Sequence, residues 1–143
     1  MSTVRDRKRV KKIGATMPDG TIYAGRSPDT GQPMYTMAND AVRSFLGFRK
    51  RRFALRQALA KASAMDAHGH RDWRVPTKAE LNVLFQKRAA IGCFDTTGST
   101  PAGWYWSSSR LNVYDFAWAQ RFSDGDQDYF SRTNASALRC VRG

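Results

Sequence analysis

The chain has 143 residues, 41% of them hydrophobic and 12% aromatic, and 24 Lys+Arg against 12 Asp+Glu give a net charge of +12. That length suits one ordinary domain able to bury a core, the aromatic content argues against disorder, and no apolar run is long enough for a membrane span. Two cysteines exclude a disulfide-rich scaffold, and the charged N-terminus lacks the apolar region of a secretory signal, so a soluble basic protein, cytoplasmic as synthesised, is expected.

The charge is concentrated early: residues 1–61 carry 14 basic and 4 acidic residues, and residues 62–143 carry 10 and 8. One cluster (Arg5, Arg7, Lys8, Arg9, Lys11, Lys12) lies in a stretch almost without large apolar residues, so residues 1–14 read as a basic flexible tail before a single domain, 15–143. Residues 17–37 read as a β-hairpin, with Met17-Pro18-Asp19-Gly20 and Ser27-Pro28-Asp29-Thr30-Gly31 as turns around Thr21-Ile22-Tyr23 and Pro33-Met34-Tyr35-Thr36. Over 45–66, Phe48, Leu55, Leu59, Ala62 and Met65 recur at helical spacing and predict an amphipathic helix. The second basic cluster (Arg49, Lys50, Arg51, Arg52 and Arg56) would then lie on or beside that helix, with Gly69 as its C-terminal cap.

Pro76, Thr77 and Glu80 announce a second helix. The Thr-x-x-Glu spacing is that of a capping box, Leu81, Leu84, Phe85 and Arg88 follow on one side, and Gly92 stops the helix. The pattern then changes to strands. Trp104-Tyr105-Trp106-Ser107 is extended and aromatic. From 116 to 122, Phe116, Trp118, Gln120 and Phe122 face one way and Ala117, Ala119 and Arg121 the other. Asp124-Gly125 is a hairpin turn, 127–131 returns antiparallel, and 137–141 forms a short closing strand. A hairpin, two helices and then an antiparallel sheet make an α+β chain.

The segments GHRDWRVPTKAELNVLF, YWSSS, AWAQRFSDG and LRCVR, in that order, resemble the blocks of the Lcl C-terminal domain family, named for a collagen-like bacterial surface protein. The resemblance covers roughly residues 60–142, with MPDGTIYAG as an N-terminal extension. It implies a C-type-lectin-like fold: two helices flanking small antiparallel sheets, with the chain ends close together. It also implies a bacterial or phage protein, often at a surface. Several such proteins are variable proteins of diversity-generating retroelements, in which rewritten codons near the C-terminus place variable side chains on one ligand-binding face.

Two stretches between those blocks, 110–116 and 126–132, depart from the pattern and suit such a face. Arg110, Asn112, Tyr114, Phe116, Asp126, Asp128, Tyr129, Phe130 and Arg132 are the candidate contacts for a protein or glycan ligand, since aromatics give contact area at low entropy cost and charges give specificity. The competing reading makes them ordinary loops with aromatics tucked into the sheet. Trp73, Arg74, Pro76, Thr77, Glu80, Trp104, Trp106 and Trp118 read as structural, with Ser107, Ser108 and Ser109 near enough in sequence to accept from buried indoles.

Neither a metal nor a cofactor is called for. Asp124, Asp126 and Asp128 have Asp-x-Asp-x-Asp spacing, but without the glycine position and distal glutamate of a calcium loop. His68 and His70 make an incomplete ligand set on a turn, and Cys93 and Cys140 are expected as reduced thiols. With one glutamate, assigned to a cap, and no nucleophile–His–acid set, an enzyme is not expected. The alternatives are a nucleic-acid-associated protein using the tail and Arg49, Lys50, Arg51, Arg52 and Arg56, or a structural component of a phage or surface assembly docking its basic half on an acidic partner.

Overall fold

A computed structural model describes residues 11–111 and 115–143 of the chain. Strands β1 (Ile22–Arg26) and β2 (Pro33–Thr36) form the expected hairpin, pairing Ile22 with Thr36 and Tyr23 with Tyr35. The intervening turn is closed by Ser27, whose hydroxyl accepts from the amides of Asp29 and Thr30. A register shift between Tyr23 and Gly25 lets Ala24 and Gly25 both be buried; a side chain at Gly25 (φ 99°) would crowd Ile13. Ile13 packs beside the core, and the Gly14 amide donates to Tyr23 O (2.8 Å). Residues 11–14 are therefore part of the folded body rather than of a tail; residues 1–10 lie outside the described residues.

The segment 43–50 is not helical. Strands β3 (Arg43–Phe45) and β4 (Phe48–Lys50) pair across a two-residue turn, in which Leu46 and Gly47 both have positive φ (50° and 79°). Such turns match the twist of a hairpin. Gly47 weakens a helix and suits this turn, and the pairing of β3 with β4 overrides the apolar spacing. Phe53 is then pinned in an extended bridge, its amide donating to Ser136 O (2.7 Å) and its carbonyl accepting from Ser136 N (2.9 Å).

Helix α1 (Leu55–Ala64) begins only there. It buries Leu55, Ala58 and Ala62, while Leu59 and Met65 pack partly buried and Phe48, expected on the same stripe, is 68% exposed. The Gln57 side chain accepts from the Ala54 amide (2.9 Å), one half of a capping box. The helix ends in extended backbone at Met65, so Gly69 is not its cap. Gly69 and His68 instead form a second two-residue turn of positive φ between paired Ala67 and His70.

Helix α2 (Lys78–Gln86) opens on the expected capping box. Thr77 Oγ1 accepts from the Glu80 amide (3.2 Å), and Glu80 Oε1 accepts from the Thr77 amide (2.9 Å). A single turn, α3 (Arg88–Ile91), follows and stops at Gly92 (φ 87°).

Strands β5 (Trp104–Arg110), β6 (Phe116–Arg121) and β7 (Gln127–Ser131) form an antiparallel sheet. The alternation read from the sequence holds, and it splits the core in two. Trp104, Trp106, Ala117 and Ala119 join Phe53, Leu55, Ala58, Ala62 and Trp73 on one side. Tyr105 and Phe122 join Leu81, Leu84, Ile22 and Met34 on the other. The closing strand is shorter and later than expected. It is β8 (Val141–Arg142), which pairs with β2, while Ala137 makes only an isolated bridge to Tyr105. Thr36 Oγ1 donates to Cys140 O (2.7 Å), and the side chains of Lys11 and Arg142 both reach the Tyr35 ring, so the two ends of the described body converge there. A few short helices with small antiparallel sheets make the protein α+β.

Candidate ligand-binding site

One face of the β5–β6–β7 sheet packs into the core through Trp104, Trp106, Ala117 and Ala119, and the other is covered at a single end. Paired residues of antiparallel strands share a face, and here Phe116 pairs with Ser131, Trp118 with Tyr129 and Gln120 with Gln127. Helix α2 covers this face at Gln120, whose Nε2 donates to Asn82 Oδ1 (2.9 Å) and to Gly125 O (3.1 Å). Beyond that point Tyr129 is 47% exposed, and Phe116 and Trp118 are half-buried.

The three rings form a row. Phe116 and Tyr129 lie 5.8 Å apart between centroids; Tyr129 meets Trp118 edge-on at 5.5 Å. Lys78 closes the row, its Nζ 3.6 Å from the centroid of the Trp118 ring. Lys78 is the first residue of α2, and its backbone amide donates to Ser109 Oγ (2.9 Å), which ties the helix start to β5. Beside Lys78 opens a cleft of about 450 Å³ lined by Asp29, Thr77, Lys78, Ala79, Asn82, Ser109 and Gln127. Asp29 accepts from the Thr77 hydroxyl, so the cleft has a carboxylate on one wall and an ammonium on another.

This arrangement gathers only part of the expected ligand surface. Phe116 and Tyr129 belong to the aromatic row. Arg110 is exposed at the end of β5. Asn112 and Tyr114 lie outside the described residues. Asp126 is exposed 3.8 Å from Arg121, Asp128 is exposed but pairs with Ala119 on the other face, and Arg132 lies 3.3 Å from Asp115. Phe130 is a correction. It pairs with Ala117 and packs against Trp104 (4.9 Å) and Trp106 (6.1 Å), so it belongs to the core. Trp118 is the converse correction: read as core, it lies in the half-open row, because strand alternation puts it opposite the buried alanines 117 and 119.

Of the remaining structural residues, Trp73, Pro76, Glu80, Trp104 and Trp106 are buried and Arg74 and Thr77 partly so, but the partners differ from those expected. Trp73 Nε1 donates to Ala67 O (3.1 Å) and Trp106 Nε1 to Phe53 O (2.7 Å), so backbone carbonyls rather than the serines at 107–109 satisfy the indoles. Trp104 is 6% exposed. Pro76 O accepts from the Ser108 amide (2.8 Å). Arg74 donates to Glu80 through both Nη atoms (2.5 and 2.8 Å), and Ser27 Oγ adds a third donor (2.5 Å). Burial pushes the Glu80 carboxyl up, but these donors and the Thr77 amide outweigh it and hold it at about 2.

His68 and His70 are not merely solvated. Both grip the first turn, His70 Nε2 at 2.7 Å from Asp19 Oδ2 and His68 Nδ1 at 3.0 Å from Asp19 O. Arg121 engages Asp124 through Nε and Nη2 (3.0 and 2.6 Å) and holds that carboxyl at about 2. Among the described residues no group of three or more His, Cys, Asp or Glu is placed to hold a metal. Cys93 is exposed and Cys140 is buried, and they are not joined; burial pushes the Cys140 thiol up to about 12.

Sequence reasoning missed Lys78, Asp29, Asn82 and Ser109, which meet Gln127 of the expected 126–132 stretch only through folding. It also missed Asp40 and Arg139, whose side chains are 0–1% exposed and in contact at 2.8 Å. An arginine inside the apolar run Ala137–Val141 was the available signal. The basic residues expected to bind nucleic acid do converge: Arg49, Lys50, Arg51 and Arg52 line a separate cleft with Pro101 and Ala102, while Arg56 is exposed on α1.

The family model described as the Lcl C-terminal domain matches residues 20–142. No curated protein matches the chain.

Proposed function

Because the chain belongs to the Lcl C-terminal domain family, we propose that it is a non-catalytic ligand-binding module of C-type-lectin-like build. Its ligand is a protein or glycan, taken on the open end of the β5–β6–β7 sheet. One observation carries the reading. The half-open row Phe116–Tyr129–Trp118 runs into a polar cleft and is mounted on a sheet whose other face packs into the core. Rigid aromatics beside fixed polar groups are what an adaptable contact surface uses. Two observations support a non-catalytic role: both histidines are engaged with Asp19, and the lone glutamate holds a helix cap.

Part of this face comes from segments 110–116 and 126–132, which would be the diversified positions if a retroelement rewrites the gene. Deep sequencing of the 3′ end in a clonal culture tests that part. Changes clustered at those codons, beside a near-copy template, support it; an invariant end without a template refutes diversification and leaves a fixed binding face. The binding reading is tested by screening the chain against a glycan array and a displayed peptide library. Trp118→Ala with Tyr129→Ala should abolish the hits while changing the melting temperature little. Hits that survive the double substitution, or no hits in either library, overturn it.

A further inference from the structure

The β3–β4 hairpin has no part in that face, and two features set it apart. The first is its turn. Leu46 is 81% exposed and Phe48 68% exposed, and together with Tyr129 they are the exposed large apolar residues of the described chain. Leu46 also occupies a positive-φ turn position where Asn or Gly would be unstrained, so nothing within the hairpin calls for a leucine there.

The second feature is charge. Residues 41–64 contain seven cations (Arg43, Arg49, Lys50, Arg51, Arg52, Arg56, Lys61) and no acid. Arg51 lies 3.6 Å from Asp95, whereas among the described residues Arg49, Lys50, Arg52 and Arg56 have no acidic partner within ion-pair distance. Arg43 Nε donates to Arg52 O (2.9 Å), which holds the strands to the segment that follows. An apolar turn backed by unpaired cations is complementary to a surface that is anionic outside and apolar just beneath.

We propose that this hairpin docks the protein on an anionic phospholipid bilayer, with Leu46 and Phe48 entering the headgroup–acyl boundary and Arg49, Lys50 and Arg52 meeting the lipid phosphates. Two buried apolar side chains alone partition weakly; each cation at an anionic surface multiplies the affinity by about fivefold, so both are needed. A phosphodiester backbone would satisfy the cations but leave Leu46 in water, and this favours lipid over nucleic acid.

The test is co-sedimentation of the chain with vesicles of phosphatidylcholine containing one-third phosphatidylglycerol, against phosphatidylcholine alone. Binding is expected only with the anionic lipid, and it should weaken as salt is raised. Leu46→Asn with Phe48→Thr should lower binding by about tenfold or more with the melting temperature retained, since asparagine suits the turn. Arg49→Gln with Arg52→Gln should lower it by a similar factor. No preference for anionic vesicles overturns the proposal. So does lipid binding indifferent to Leu46 and Phe48. Tight binding to a DNA duplex that the turn variant retains, without lipid binding, would assign the hairpin to nucleic acid instead.

Discussion

Glu80 is the single glutamate of the chain, and its carboxylate joins three segments. It accepts from the Thr77 amide at the helix start, from Arg74 before it and from Ser27 on the first hairpin. A buried carboxylate is stable only when its lone pairs are filled, and here they are. Its pKa is depressed from 4.5 to about 2. The unfolded chain therefore binds more protons between those values, and stability falls as pH drops through that window; the ionised form contributes roughly 3 kcal/mol above it. Glu80→Gln should lower unfolding free energy by about 2–3 kcal/mol at neutral pH, and the gap to the parent should close toward pH of about 2. Urea denaturation at a series of pH values checks this; a gap independent of pH would mean that packing rather than charge is lost.

Among the elements, the two β-turns show how much a glycine's surroundings matter. Gly47 and Gly125 have nearly the same φ, 79° and 83°. A Cβ on Gly47 meets nothing within 4 Å, whereas one on Gly125 falls 2.4 Å from Phe85 Cε2. Gly47→Ala should thus cost only backbone strain, about 1 kcal/mol. Gly125→Ala adds overpacking, for about 3 kcal/mol in all, because Phe85 must leave its edge-on contact with Phe122. Thermal melts of the two variants compare them directly. Equal losses would show that Phe85 swings aside freely and does not seat the β6–β7 turn against α2.

At the scale of the whole molecule, Arg139 is the joint. Its guanidinium meets Asp40 through Nε (3.0 Å) and Nη2 (2.8 Å), donates to Met37 O, Gly92 O and Cys93 O, and lies 3.9 Å from the Phe94 ring centroid. Tyr105 donates to Asp40 (2.6 Å) and accepts from the Asp95 amide (2.7 Å), bringing in β5. Burial pushes the Asp40 carboxyl above its ordinary value, against the pull of Arg139. Arg139→Met leaves that carboxylate unpaired and should cost about 3–5 kcal/mol at neutral pH. Asp40 then takes a proton more readily in the folded state, so the loss should shrink as pH falls. Asp40→Asn with Arg139→Met should recover part of it. Denaturant unfolding of the parent and the two variants decides; a double variant no better than Arg139→Met would show that the arginine's carbonyl contacts dominate.

Local chemistry alone determined the capping box at Thr77 and Glu80, the first hairpin, the alternation along 116–122 and the turn at Asp124-Gly125. Each depends on residues a few positions apart, within reach of one turn or one strand pairing. Four ordered motifs also identified the family that the match over 20–142 shows. The segment 43–50 went the other way. Its apolar spacing favoured a helix, but the pairing of β3 with β4 and of Phe53 with Ser136 fixed it as extended. Alternation told that Trp118 and Ala117 face opposite sides, yet only the placement of α2 and α1 decided which side stays open. The same holds for Phe130 and Tyr129, neighbours in sequence that end in the core and on the surface. The cleft joins residues from 29 to 127, and the Asp40–Arg139 pair spans 99 positions. Such contacts carry no local signal, because what brings them together is the burial of two apolar clusters on opposite faces of one sheet.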